Sequence, residues 1–164
     1  MKKSKCIEIL IKELEPLGAK IYNYRGTEFI AIQNPYCENH LAITFGEEDF
    51  QMEFTYQAAR FSYDNPSDCV THVKRYLSDE LCAVEIFLSG KPLFGGSRES
   101  AKISLDSAED FASFYACGNE RISANLLGFM KNGGVSIKIF SWSGRFNRSF
   151  EIAVNGDELT VNQD

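Results

Sequence analysis

The stretch from Asn65 to Leu88 constrains the fold most, because it predicts a capped helix that leads directly into a strand. Asn65 suits the N-cap of a helix and Pro66 suits its first position. Apolar residues then recur at helical spacing as far as Leu77. From Leu81 the period changes to two, and one face of the strand is apolar while the other is mixed. We therefore expect one amphipathic helix followed by an interior strand whose second face is partly covered.

The rest of the chain predicts hairpins and a few more helices. Further helices are expected at residues 2–17, 106–118 and 120–131, in addition to 66–79. Strands are expected at 19–33 as a hairpin that turns at Arg25–Gly26, and at 40–45, 50–61, 81–88, 98–105 and 135–161. The alternation changes parity at Ala58, which indicates a bulge or a strong bend. Residues 93–96 are expected to be irregular.

The order of these elements predicts the fold class. Hairpins dominate, and no repeated strand–helix–strand alternation appears. The predicted class is α+β, with one mostly antiparallel β-sheet of hairpins and meanders and about four helices packed on one face.

Size and composition predict a single α+β domain over residues 1–164. The chain is 44 % apolar and has no Pro/Gly/Ser linker, low-complexity run or clear repeat. No apolar run approaches the ~20 residues of a membrane helix, and charged residues interrupt the apolar part after the basic start, so no signal peptide is expected. The five cysteines are scattered without a C-x-x-C pair, which is typical of buried thiols in a reducing compartment. These features predict a cytoplasmic protein.

The formal net charge of −6 is concentrated in one segment. Between Gly26 and Asp64 there are seven acidic residues and one basic residue, Arg60, so the segment carries −6 and the remainder sums to zero. A block of one sign favours a partner of the opposite sign, although an acidic turn is also typical of a solvated edge. The candidate partner-binding residues are Glu47, Glu48, Asp49 and Glu53.

The pattern offers no candidate catalytic residues, metal site or cofactor site. His40 and His72 have no second ligand at metal spacing, and no calcium-loop motif occurs. Lys91 precedes the glycine pair of residues 95–96, which does not match a phosphate-binding P-loop. The chain is acidic and its basic residues are dispersed, so nucleic-acid binding is not expected. We therefore expect a protein that is not an enzyme.

Several aromatic residues fall outside the simplest inward-facing sets. Tyr56, Phe61 and Tyr63 lie close to the expected bend, where they could line an apolar cavity between a curved sheet and its helices. Trp142 lies beside a turn and two arginines, which makes it a candidate for an exposed anchor. Capping of a sheet core is an equal alternative for Trp142.

Two functions from different classes follow. The first is a non-enzymatic protein-binding domain whose acidic surface binds a basic partner, for example an immunity-type protein that neutralises a cationic toxin. The second is a small apolar ligand-binding protein that uses Tyr56, Phe61, Tyr63 and Trp142. Hairpins at either chain end leave edge strands open to self-association, so a homodimer is a further alternative.

Overall fold

The structure is a computed structural model that describes residues 3–46, 51–103, 128, 134–155 and 158–163. In these ranges the chain has two α-helices, α1 (Lys3–Leu14) and α2 (Pro66–Leu77). Its ten strands are β1 (Ala19–Tyr24), β2 (Thr27–Gln33), β3 (His40–Phe45), β4 (Met52–Tyr56), β5 (Ala59–Tyr63), β6 (Leu81–Leu88), β7 (Lys91–Glu99), β8 (Val135–Phe140), β9 (Arg148–Asn155) and β10 (Glu158–Gln163). Short 3₁₀ turns follow α1 and β7, at Glu15–Leu17 and Ser100–Lys102.

The strands form two antiparallel five-stranded sheets. The first sheet is a meander in the order β1-β2-β3-β4-β5, and the second has the order β10-β9-β8-β6-β7. Helix α2 connects the two, since it follows β5 and precedes β6. Strand β6 is therefore an interior strand between β7 and β8, which confirms the prediction made from its period-two pattern.

The two faces of β6 belong to two different hydrophobic cores. Leu81 and Ala83 pack into the first core, which also contains the inner face of the first sheet, α1 and α2. Cys82, Val84 and Ile86 face the opposite way and join the second core with residues of β8 and β9. The first core covers the first half of the mixed face, and Glu85 and Phe87 further along that face are half-buried.

Local sequence signals explain where α2 and the first hairpin begin. The side chain of Asn65 accepts a hydrogen bond of 2.9 Å from the backbone N–H of Ser67, and Pro66 occupies the first helical position. Arg25 and Gly26 have φ values of 52° and 85°, so they form the predicted two-residue turn between β1 and β2.

The expected fold class is wrong in its helices and in its single sheet. The described ranges contain two α-helices and not about four, while the predicted helix at 106–118 lies outside them, and so does the one at 120–131 apart from residue 128. The antiparallel arrangement is confirmed, but the strands are divided between two sheets. A period-two pattern identifies strands and their faces, whereas the choice of edge partners is made by long-range packing, so the pattern could not reveal this division.

Two local expectations also need correction. Ala58 does not mark a bulge in one long strand, because Gln57 and Ala58 form a tight turn between β4 and β5, with a φ of 53° at Gln57. The segment 93–96 is part of β7, which pairs with β6 through its glycines. A Cβ on Gly95 would lie 2.5 Å from the Ala58 Cβ and would overlap the Ala58 carbonyl oxygen. The glycine is therefore needed for close approach between β7 and the β4–β5 turn.

Candidate functional site

One end of the first sheet collects several carboxylates. Because the strands alternate in direction, the β1–β2 turn, the end of β3, the start of β4 and the end of β5 lie at the same end. The backbone N–H of Gly46 donates to the carbonyl of Gln51 at 3.0 Å, which joins β3 to β4 there. We call Glu28, Glu53, Asp64 and Asp68 the acidic end; all four residues are exposed.

No carboxylate of the acidic end forms a salt bridge within the described part of the chain. The ion pairs found there lie elsewhere: Lys74–Glu13 at 3.1 Å, Arg75–Glu80 at 2.7 Å, Arg75–Glu99 at 3.6 Å and Lys102–Glu99 at 2.7 Å. The basic groups near this end are Lys3, whose Nζ lies 5.6 Å from the Phe45 ring centroid, and Arg25, whose Cζ lies 5.2 Å from that of Tyr24. The negative charge of the acidic end is therefore left largely uncompensated by ion pairing.

The predicted partner-binding residues are only partly covered by the structure. Glu53 lies on β4, opposite Ser62 of β5, and its side chain is exposed. Glu47, Glu48 and Asp49 lie outside the described residues.

The four aromatic residues predicted to line a ligand pocket are divided into two groups. Tyr56 and Trp142 are 1 % and 6 % exposed, with ring centroids 5.5 Å apart in the first core. Trp142 is therefore buried, so the interpretation as an exposed anchor is wrong and the alternative, that it packs in the core, is confirmed. Phe61 and Tyr63 are half-buried on β5, with ring centroids 4.7 and 5.6 Å from that of His72.

The other end of the first sheet is tied to the β8–β9 segment by buried polar groups. The Asn34 side chain donates to the Trp142 carbonyl at 2.7 Å, and the Tyr56 hydroxyl donates to the Ser141 carbonyl at 3.2 Å. Asn34 and Ser141 are the buried polar residues of the described ranges. Asp79, just after α2, accepts from the backbone N–H of Ser143 at 2.9 Å and from the Ser143 hydroxyl. We call this region the tied end.

His72 is surrounded by aromatic rings of both α2 and the first sheet. Burial, and secondarily the Arg75 guanidinium, lower the pKa of His72 to about 4, so the imidazole is neutral near pH 7. Its buried Nε2 has no hydrogen-bond partner in the described structure, and the same holds for the Tyr76 hydroxyl and the Ser97 hydroxyl. Burial also raises the pKa of Tyr76. These groups are unpaired polar atoms in a packed region of the described structure.

The buried cysteines that the structure describes are unsuited to thiolate chemistry. Cys6, Cys69 and Cys82 are buried, and burial raises the pKa of Cys69 and of Cys82 to about 12. Cys37 is exposed in the β2–β3 loop, and Cys117 lies outside the described residues. Since the thiolate is the reactive and metal-binding form, protonated buried thiols are inert. Over the ranges that the structure describes, no three His, Cys, Asp or Glu residues come together in a way that could hold a metal ion.

Strand β1 is a second exposed feature, and it belongs to the N-terminal hairpin that the sequence predicts to have an edge open to self-association. Five of its six residues are exposed, including Ile21 at 48 %, Tyr22 at 43 % and Tyr24 at 63 %. Tyr22 stacks on Phe29 of β2 with ring centroids 5.6 Å apart. The sequence pattern that indicates this exposure is the position of Tyr22 and Tyr24, which fall outside the inward-facing set of the first hairpin of the sheet.

Comparisons with known proteins do not assign the site. The chain matches no protein-family model, and no significant match is found among curated proteins or among solved structures. None of the helices described here is long and apolar enough to cross a membrane.

Proposed function

We propose that this chain is a non-enzymatic, cytoplasmic protein-binding domain whose acidic end binds a basic protein partner. The observation that supports this most is that four exposed carboxylates, those of the acidic end, lie at one end of the first sheet, and none of them forms a salt bridge within the described residues. The segment from Gly26 to Asp64 supplies a net −6, equal to the charge of the whole chain.

Uncompensated surface charge favours association more than folding. Like charges close together repel one another in the free protein, and a cationic partner removes that repulsion while its own field steers the encounter. The Debye length is about 8 Å at physiological ionic strength, so adjacent carboxylates act together. One concrete form of such a partner is a cationic toxin, in which case the chain is an immunity-type protein.

Charge reversal tests this proposal. We expect the E28K/E53K/D64K/D68K variant, which reverses the four carboxylates of the acidic end, to lose a partner that the wild-type chain captures from lysate of its native host at low salt. The control variant E8K/E13K/E15K/E151K changes the net charge by the same amount at sites outside the segment from Gly26 to Asp64 and should retain the partner. Each captured protein is identified and its binding repeated with purified components at increasing salt. Equal capture by both variants, or binding that does not weaken with salt, contradicts the acidic-end proposal.

A second candidate function is binding of a small apolar ligand beside Phe61 and Tyr63. Tyr56 and Trp142 no longer support it, because they fill the core. The half-buried rings of Phe61 and Tyr63 against His72, whose Nε2 has no hydrogen-bond partner in the described structure, favour it. A ligand at 100 times its dissociation constant stabilises by about 2.7 kcal/mol. A thermal-shift screen with wild type and F61A should therefore give hits that F61A loses; hits shared by both contradict this site.

A further inference from the structure

Strand β1 has one edge that no described strand covers. It pairs with β2 from Ala19 to Tyr24 and lies at the end of the strand order of the first sheet. The positive φ values of Arg25 and Gly26 define a two-residue type I′ turn, in which Tyr24 and Thr27 are the hydrogen-bonded pair. Hydrogen bonding alternates along an antiparallel pair, so the N–H and C=O groups of every second residue point to the free edge. These residues are Ala19, Ile21 and Asn23.

The side chains around this edge are apolar and carry little charge. Ile21, Tyr22 and Tyr24 are exposed, as is Leu17 just before the strand. Lys20 is the single charged residue from Ala19 to Tyr24. Proteins usually protect exposed edge strands with several charges, a proline or a bulge, because an unprotected edge accepts another strand. Strand β1 has one lysine and an unbroken register with β2.

We propose that a second copy of this chain pairs with β1 in antiparallel fashion, about a two-fold axis at Ile21, to form a continuous ten-stranded sheet across the dimer. Residues with free backbone groups must face each other, so odd-numbered residues pair with odd-numbered residues. The axis at Ile21 places Ile21 against its counterpart and Lys20 against Tyr22 of the second copy. An axis at Lys20 would oppose two lysines, and an axis at Tyr22 would oppose Ile21 and Asn23.

The size of this edge predicts a weak, reversible dimer. Aromatic side chains bury about 150–250 Å² each when fully covered, and the tyrosines here are already half covered by their own chain. The dimer therefore buries less than about 1,000 Å² in total, which is typical of transient interfaces. Each copy carries a net charge of −6, so the copies repel at long range and added salt strengthens the dimer. Binding of a basic partner has the opposite salt dependence.

Sedimentation equilibrium over a wide concentration range provides the first test. We expect wild type to change from monomer to dimer as its concentration rises, and more readily in high salt. Ile21→Pro removes an N–H that points to the free edge and no bond to β2, so the dissociation constant should rise at least about tenfold. Leu93→Ala, at an exposed apolar residue of β7, is the control and should leave dimerisation unchanged. If wild type stays monomeric at every concentration, the proposal is wrong. This holds also if the edge of β1 pairs with a strand of a different protein.

Disulfide trapping tests the register without relying on the proline variant. In a Cys37→Ser background, Ile21→Cys should cross-link under mild oxidation, because directly paired residues have Cα atoms about 5.5 Å apart. Tyr24→Cys is equally exposed, but its two copies lie about 20 Å apart at 3.3 Å per residue. We expect several-fold more covalent dimer for I21C than for Y24C. Equal cross-linking of both, or of neither, overturns the register. The cross-linking outcome is independent of the acidic end, which the E28K/E53K/D64K/D68K variant tests separately.

Discussion

At the tied end of the first sheet, buried side chains bond to the β8–β9 segment, whereas at the acidic end exposed carboxylates have no ionic partner in the described structure. Asn34 and Tyr56 each donate to a backbone carbonyl of the residue pair Ser141–Trp142. Glu53 and Asp64 have no such contact and lie in solvent. One sheet thus has an end at which buried polar groups form hydrogen bonds that hold the fold and an end at which exposed carboxylates remain for a partner.

The difference has an energetic basis. A buried polar group costs about 1–3 kcal/mol if its hydrogen bond is lost, so the tied end holds the β8–β9 segment in one position. Exposed charges contribute at most about 1 kcal/mol each to folding. Substitutions at the tied end should therefore reduce stability, whereas those at the acidic end should change binding and leave stability almost unaltered.

The largest effect is expected where the β4–β5 turn meets β7. Gly95→Ala introduces a Cβ that overlaps the Ala58 carbonyl oxygen, and backbone must move to relieve it. We expect a loss of about 3 kcal/mol or more in the free energy of unfolding. Urea denaturation followed by circular dichroism measures it. Gly134→Ala is the control, because a Cβ there meets no atom within 4 Å. Equal losses of unfolding free energy in the two variants would show that β7 and the β4–β5 turn leave room for a Cβ at Gly95.

A second large effect is expected at His72, which should make the free energy of unfolding depend on pH. Its folded-state pKa of about 4 is below the ordinary 6.5. The unfolded chain therefore binds a proton first as pH falls, so stability is fully present above pH 6.5 and decreases from 6.5 towards 4. This group should account for a loss of about 2 kcal/mol. His72→Phe retains the aromatic packing and should show a smaller decrease between about pH 7 and pH 4.5 than wild type. Identical pH profiles would contradict this assignment.

Removing a hydrogen bond of the tied end should have an intermediate effect. Asn34→Ala removes the donor to the Trp142 carbonyl and the acceptor that the Tyr36 N–H uses at 2.8 Å. We expect the free energy of unfolding to fall by about 1.5 kcal/mol. The control is Gln33→Ala, whose amide bonds only to carbonyls of the exposed β2–β3 loop. If Asn34→Ala and Gln33→Ala lower the free energy of unfolding equally, burial is not the reason that the Asn34 hydrogen bond stabilises the fold.

The sequence predicted elements better than their assembly. The N-cap at Asn65, the turn at Arg25–Gly26 and the two faces of β6 all follow from local chemistry, and the structure confirms them. The division into two sheets depends on β6 pairing with β7 and β8 and not with β5. That choice is made by contacts distant in sequence, such as Gly95 against Ala58, which no local pattern encodes.

The candidate site was predictable only in part, because it too depends on contacts between residues that are distant in sequence. Charge counting identified the acidic segment without any geometry, but could not tell which carboxylates would be paired. The sequence could not decide whether Trp142 is an exposed anchor or a core residue, because its burial depends on Asn34 and Tyr56, which are distant in sequence. The exposure of Ile21 and Tyr22 likewise depends on β1 being an edge strand, which is a property of sheet order.

The smallest effect compares a paired carboxylate with an unpaired one. Glu13 forms an exposed ion pair of 3.1 Å with Lys74, whereas Glu53 of the acidic end has no ionic partner in the described structure. Exposed pairs contribute a few tenths of a kcal/mol, and removing one of several like charges stabilises by a similar amount. Glu13→Gln should therefore lower the free energy of unfolding slightly, and Glu53→Gln should raise it. Replicate urea titrations at low salt resolve the sign, and high salt should remove both shifts. A loss of stability in Glu53→Gln would mean that this carboxylate is used in folding, and the acidic end would then have no surplus charge to offer a partner.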